Sequence, residues 1–249
     1  MRLSEPDGAA PRLGLLYLHG FGSLQSGEKA TYFRARAGEA GIAFCSVDFR
    51  GHGESDGRMR DLTLSRNLED VAAVRALLSG RGWERVVLFG SSMGGATALW
   101  YAALHPADVV AGVHIAPAVG FRRGLERWAG PRRLARWRRE GVVRFASELV
   151  TCELGWELMA DLRRYRLSGL VERYRTPTLV FQGQLDATVD WRDVARFARR
   201  VRSGLVELVL FPDGDHRLTD RKDLLWHRAR SFLSALAERN QEQRPEDSA

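Results

Sequence analysis

Val86-Val87-Leu88-Phe89 is apolar at every position and runs directly into Gly90-Ser91-Ser92-Met93-Gly94. A strand without a polar face has to be covered on both sides, which places it inside a parallel sheet flanked by helices. Ser92 then stands in a sharp turn, and the small residues that follow it open a helix. Glycines two positions before and after Ser92 remove the Cβ atoms that would collide in such a turn. The same alternation spans most of the chain. Short apolar runs at Leu13–Leu18, Ala43–Asp48, Arg85–Phe89, Val109–Ile115, Thr178–Phe181 and Val206–Phe211 predict strands. Amphipathic stretches at Ala30–Ala40, Thr63–Ser79, Met93–His105, Trp191–Val201 and Arg221–Glu238 predict helices, Thr63 being a cap and Gly80 and Gly82 following its helix. The reading is an α/β fold with a doubly wound, mostly parallel sheet. A length of 249 residues suits one such domain with a small insertion.

The alternation breaks between Ala118 and Arg175, where no strand is evident and Gly130-Pro131, Gly155 and Gly169 mark breaks. This interval predicts a helical cap over the carboxyl ends of the strands, the edge where open parallel sheets bind ligands. The expected division is a core of residues 1–117 and 176–238, a basic helical cap at 118–175, and a polar, disordered tail at 239–249.

A serine hydroxyl at neutral pH needs a base, and the base needs an orienting acid. His216, in Gly214-Asp215-His216, follows the last predicted strand and is the expected base. Asp186, in Gly183-Gln184-Leu185-Asp186, follows the strand before it and is the expected acid. Asp190 and Asp215 compete with it, but Asp190 is placed to cap the helix at Trp191, and Asp215 adjoins the histidine in sequence. The developing oxyanion needs N–H donors. In His19-Gly20-Phe21-Gly22 the glycines allow close backbone approach, so Phe21 and Met93 are the expected donors. His19 and Gly20 lie on the substrate side of that loop, with His19 also suited to tying the loop down. Asp48 to Gly57 reads as a tight glycine-rich loop beside the site, in which His52 is a weaker candidate base than His216.

Together these segments resemble the α/β-hydrolase superfamily. H-G-F-G, D-x-R-G-H-G-x-S, G-x-S-x-G, G-x-x-D and G-x-x-H occur in that family's order over Leu13–Pro117 and Thr176–Leu236, with the acid and histidine following the serine. The resemblance implies hydrolysis through Ser92, Asp186 and His216, with no metal and no cofactor. The chain departs from the family's pattern ahead of Leu13, where the leading antiparallel hairpin is expected to be missing or reduced. Within the superfamily it is similar to mitochondrial-type palmitoyl-protein thioesterases that also cleave acyl glucuronides, in Gly27-Glu28-Lys29-Ala30 and Asp215-His216-Arg217. It is also similar to bacterial feruloyl-type carboxylesterases, in Gly51 to Gly57. The expected substrate is therefore a small ester or thioester, with peptidase, lipase, acyltransferase and non-catalytic binding roles as alternatives. The insertion matches neither group well, which leaves the substrate open.

The net charge of +7 sits in the insertion, where residues 118–175 hold 14 Arg against 7 Asp and Glu, while the rest of the chain is balanced. Such a cap can draw in an anionic substrate, rest on an anionic membrane surface, or be a solvated face with its Trp and Leu residues turned inward. It is not a nucleic-acid motif. Thirty-six Arg against Lys29 and Lys222 reads as a GC-rich coding bias. No apolar run approaches the roughly 20 residues that cross a bilayer. The first residues lack a signal-peptide stretch, and Cys45 and Cys152 make no disulfide framework. The expected compartment is cytoplasmic.

Overall fold

A computed structural model describes residues 1–6, 13–147, 150–202 and 204–242. In chain order, β1 (Arg2–Ser4), β2 (Leu13–Leu18), α1 (Glu28–Glu39), β3 (Ala43–Val47), α2 (Leu64–Gly80), β4 (Arg85–Ser91), α3 (Met93–Leu104) and β5 (Val109–Ile115) make the first half. Then come α4 (Phe121–Glu140), β6 (Val142–Ala146), β7 (Thr151–Gly155), α5 (Trp156–Asp161) and α6 (Leu167–Arg173). The chain returns to the sheet with β8 (Thr178–Gly183), α7 (Trp191–Arg200), β9 (Val206–Phe211) and α8 (Lys222–Glu242). The seven-stranded sheet has the order β1-β3-β2-β4-β5-β8-β9. All neighbours are parallel except β1, which pairs antiparallel with β3 through Leu3 and Cys45. The segment ahead of β2 is thus a single short edge strand in the described residues.

Burial on both faces explains the all-apolar strands. Leu16, Leu18, Val86 and Leu88 point to the side covered by α2 and α3. Leu15, Tyr17, Val87 and Phe89 alternate to the other side, where Phe33 of α1 and Trp226 of α8 close the core. Register carries this across the sheet, with Tyr17 opposite Phe89 and Phe89 opposite Val113. Thr63 caps α2 by accepting from Arg66 N–H.

Two expectations change in the insertion. It is not purely helical: β6 and β7 form an antiparallel hairpin, with Phe145 opposite Cys152. Its residues are mostly exposed or half-exposed, with only Leu154 and Gly155 buried, and are interrupted by arginine and glutamate, so the period-2 signal is short and weak. Gly130 and Pro131 do break α4, Gly130 having φ +63° and ψ 171°, whereas Gly169 lies inside α6. At the other end α8 runs to Glu242, into the stretch expected to be frayed. The rest of that expected tail, 243–249, lies outside the described residues.

Trp83 ties the start of the sheet together. It is fully buried, its indole N–H donates to Glu5 Oε1 at 2.9 Å, and its ring fills the space over Gly14 where any Cβ would overlap it. Trp83→Ala is expected to destabilise the fold by about 3–5 kcal/mol, read as a lower urea midpoint with an unchanged slope.

Candidate active site

β4 runs two residues beyond its predicted end, through Gly90 and Ser91, and α3 begins at Met93. Ser92 bridges them with φ 52° and ψ −115°. That backbone costs a non-glycine residue about 1–3 kcal/mol and persists only where its surroundings hold it. Here the Ser92 N–H donates to Ile115 O at 2.9 Å, and its carbonyl accepts from Ala96 and Ala118 N–H, both at 3.0 Å. A Cβ on Gly90 would sit 2.7 Å from Gly94 O, and one on Gly94 would overlap the carbonyl oxygens of Leu18 and His19. Glycine is required at Gly90 for β4 to pass against the start of α3, and at Gly94 for α3 to pack against the end of β2.

The loops after β8 and β9 deliver the polar partners. His216 Nε2 is 3.0 Å from Ser92 Oγ, and His216 Nδ1 is 2.7 Å from Asp186 Oδ2. The Asp186 carboxylate is fully out of solvent. Its Oδ1 accepts from Thr188 and Val189 N–H, both at 2.8 Å, and Oδ2 also accepts from the Gln182 amide at 3.0 Å. Burial raises the cost of its charge, but the His216 contact and these N–H groups outweigh it and hold the carboxyl below the usual aspartate range. An ionised Asp186 only accepts, so His216 Nδ1 donates to it and Nε2 is left as the acceptor facing the Ser92 hydroxyl. Such a chain can take a proton from serine. The competing acids are occupied elsewhere. Asp190 accepts from Arg192 N–H at the start of α7, and Asp215 Oδ1 accepts from Arg217 and Leu218 N–H.

The Phe21 and Met93 N–H groups have no hydrogen-bond partner among the described residues, and both residues line the cavity in front of Ser92. Gly20 packs beside Ser92, where a Cβ would lie 3.3 Å from the serine Cβ. His19 does not reach the substrate side. It is fully buried; Nε2 accepts from Phe49 N–H at 3.1 Å and Nδ1 donates to Gly20 O at 2.8 Å, so it ties two loops together. Burial, aided by the adjacent His52, pushes its pKa down to about 4 and keeps it neutral. His52 accepts the Gly22 N–H at 3.3 Å and so also braces the Phe21 loop, a role its sequence position did not reveal. Asp48 completes the brace by accepting from Gln25 N–H at 2.6 Å and Glu54 N–H at 3.2 Å.

Ser92 opens into a cavity of about 510 Å³. Its lining is mostly apolar, with Leu125 and Trp128 of α4, Phe145 of β6, Leu154 of β7 and Leu158 of α5 supplied by the insertion. Phe145 and Leu154 were missed in the sequence because the hairpin was. Of the insertion's arginines, Arg127 alone lines this cavity among the described residues.

A strained serine between strand and helix, facing a histidine that is held by a buried carboxylate at the carboxyl edge of a parallel sheet, defines an α/β-hydrolase of the serine hydrolase class. The chain belongs to the Hydrolase_4 family, described as serine aminopeptidase, S33, which matches residues 9–152. A putative hydrolase from Agrobacterium vitis S4 is similar in structure at TM-score 0.81 and 30% identity, over 92% of this chain and 91% of that one. The mouse alpha/beta hydrolase domain-containing protein 10 superposes at TM-score 0.79 and 24% identity, over 94% of each chain. The mouse palmitoyl-protein thioesterase ABHD10, mitochondrial, is 25% identical over 226 residues, 85% of this chain and 71% of that protein. Est1E from Butyrivibrio proteoclasticus, solved with ferulic acid bound, shares the fold at TM-score 0.78 and 20% identity, over 94% of each chain.

Because the folded pKa of Asp186 is lowered, its charge contributes stability above the unfolded value of about 3.9, and that contribution is lost as pH falls through the folded pKa. The stability difference between wild type and Asp186→Asn, from urea unfolding, is therefore expected to be present at about pH 5 and to shrink below about pH 4. A difference that grew on acidification would contradict the assigned charge.

Proposed function

We propose that this protein hydrolyses carboxylic esters or acyl thioesters through an acyl-enzyme on Ser92. The observation that carries the reading is the hydrogen-bonded series Ser92–His216–Asp186 at the mouth of an apolar cavity. His216 removes the Ser92 proton as Oγ attacks the acyl carbon, and Asp186 stabilises the imidazolium that forms. The N–H groups of Phe21 and Met93 receive the oxyanion. His216 then protonates the departing alcohol or thiol, and water, activated by the same histidine, releases the acid. No metal or organic cofactor enters these steps.

Aminopeptidase action is the rival that the family description raises. It calls for a free carboxylate to take the substrate's α-ammonium group. The cavity's two carboxylates are both committed, Asp190 to the start of α7 and Asp193 to Arg123 and Arg196. An apolar wall of Leu, Phe and Trp suits an acyl or aryl group better, which agrees with the thioesterase and ferulate-binding neighbours. Most of the cap's charge is turned to solvent, as in the exposed pair Arg136–Glu140. Such pairs contribute about 0–1 kcal/mol each, so they support a solvated face more than a membrane contact. Within the cavity, Arg127 is the group that would favour a carboxylate-bearing ester. The compartment we propose is the cytoplasm, on the free thiols of Cys45 and Cys152; the mitochondrial names of the relatives do not support it.

Ser92→Ala is expected to lower kcat/KM on p-nitrophenyl esters by at least about a thousandfold, and to abolish labelling by a fluorophosphonate probe that modifies the wild-type serine. Undiminished turnover would overturn the proposal. Leu125→Trp, which fills the cavity, should shift preference from octanoyl towards acetyl esters by about tenfold, as measured by the ratio of the two kcat/KM values.

A further inference from the structure

Beside the Ser92 cavity lies a second concavity of about 480 Å³, framed by α3, the start of α4, α6 and α7. It shares Ala118, Gly120 and Phe121 with the first. Five guanidinium groups line it: Arg122, Arg123, Arg166, Arg196 and Arg200. Arg123 and Arg196 are held in place by one buried carboxylate, Asp193, whose Oδ1 is 2.5 Å and 2.7 Å from them. Arg122 pairs with Glu126 at 2.9 Å. Arg166 spends its Nε on Arg163 O at 3.3 Å, and neither it nor Arg200 has a carboxylate partner among the described residues. Five positive charges therefore face two negative ones.

The floor of this groove is apolar, with Trp100 of α3 and Phe121 of α4, and α3 brings no charged side chain to it. A concave, low-dielectric floor focuses the excess positive potential instead of spreading it. Guanidinium forks match the oxygens of phosphate groups in pairs. An excess of three charges suits a diphosphate better than a single carboxylate, which would leave most of it uncompensated. Two of the five arginines are already immobilised by Asp193, so less side-chain freedom is lost when a ligand arrives.

We propose that this groove is a binding site for a multiply charged phosphate-class anion. The anion is either the phosphorylated end of a thioester's leaving group or a free inorganic polyphosphate. The first source rests on the Ser92 reading, and the site itself does not.

Titration of inorganic pyrophosphate into the whole protein by calorimetry, at about 0.1 M salt, is expected to give saturable binding with Kd below about 1 mM. The double variant Arg166→Ala/Arg200→Ala should weaken it by about tenfold. Arg132→Ala/Arg138→Ala removes the same charge from α4, outside the groove, and should change Kd by no more than about twofold. Absence of saturation, or an equal loss in the second pair, would overturn the site. Ser92→Ala should bind pyrophosphate as the wild type does, so failure of the hydrolase reading and failure of this one are read separately. Two thioesters of one acyl group, differing only in a diphosphate on the thiol, distinguish the sources. For a leaving-group site, kcat/KM is at least about tenfold higher with the diphosphate, and pyrophosphate competes with it. For a free ligand, the two thioesters turn over equally and pyrophosphate alters kcat for both.

Discussion

The backbone of Ser92 is the constraint on which the rest of the site depends. A serine at φ +52° is held there by hydrogen bonds to Ile115, Ala96 and Ala118. Those partners belong to β5, to α3 and to the entry of the insertion, so sheet, helix and cap are fastened at one residue. Gly94 carries the same constraint to β2, because α3 packs directly on the Leu18 and His19 carbonyls. The strained turn is therefore supported by the two cores that bury both faces of the sheet, with Ser92 Oγ 3.0 Å from His216 Nε2. Site geometry held by a rigid scaffold reduces the reorganisation a reaction would otherwise require.

The insertion adds the cavity wall, and its contact with the core is aromatic. Phe145 packs edge-on against Phe21 at 5.1 Å between ring centres, and Trp128 lies 4.8 Å from Phe145. Trp137, fully buried, sits between Trp128 and Trp156. Phe21 thus belongs at once to the loop that presents its N–H beside Ser92 and to the seat of the cap. How the cap rests on the core and where that donor points are consequently coupled. The basic surplus is divided differently from the apolar residues. Most guanidinium groups face solvent, Arg133 lies over the Trp128 ring, and one set gathers in the groove organised by Asp193.

Much of this was legible in the sequence because it follows from local rules. Apolar runs of period one, each followed by a helix-period stretch, leave few arrangements besides a parallel sheet covered on both faces. Gly90, Gly94 and their position after β4 identify the turn, since only a backbone in close contact excludes Cβ at both places. Three features were harder to read. The β6–β7 hairpin is short, half-exposed and interrupted by charges, so its alternation is too weak to separate from helix. His19 was placed both on the substrate side and as a tie for its loop, and only the tie holds, because its ring is spent on Phe49 and Gly20. The bracing role of His52 depends on Gly22, thirty residues away, and no local pattern encodes that pairing.

The sequence by itself determined the order of elements, the strand–turn–helix at Ser92, and which histidine and aspartate follow the last two strands of the sheet. These depend on patterning and on chain order, which are local quantities. Only the tertiary structure decided the distances of 3.0 Å and 2.7 Å that join Ser92, His216 and Asp186, because the three arrive from separate strand ends. It also decided which way the insertion turns its charge. The surplus of +7 was evident from composition, but a guanidinium on a long side chain can face water, a ring or a carboxylate, and packing alone selects among them.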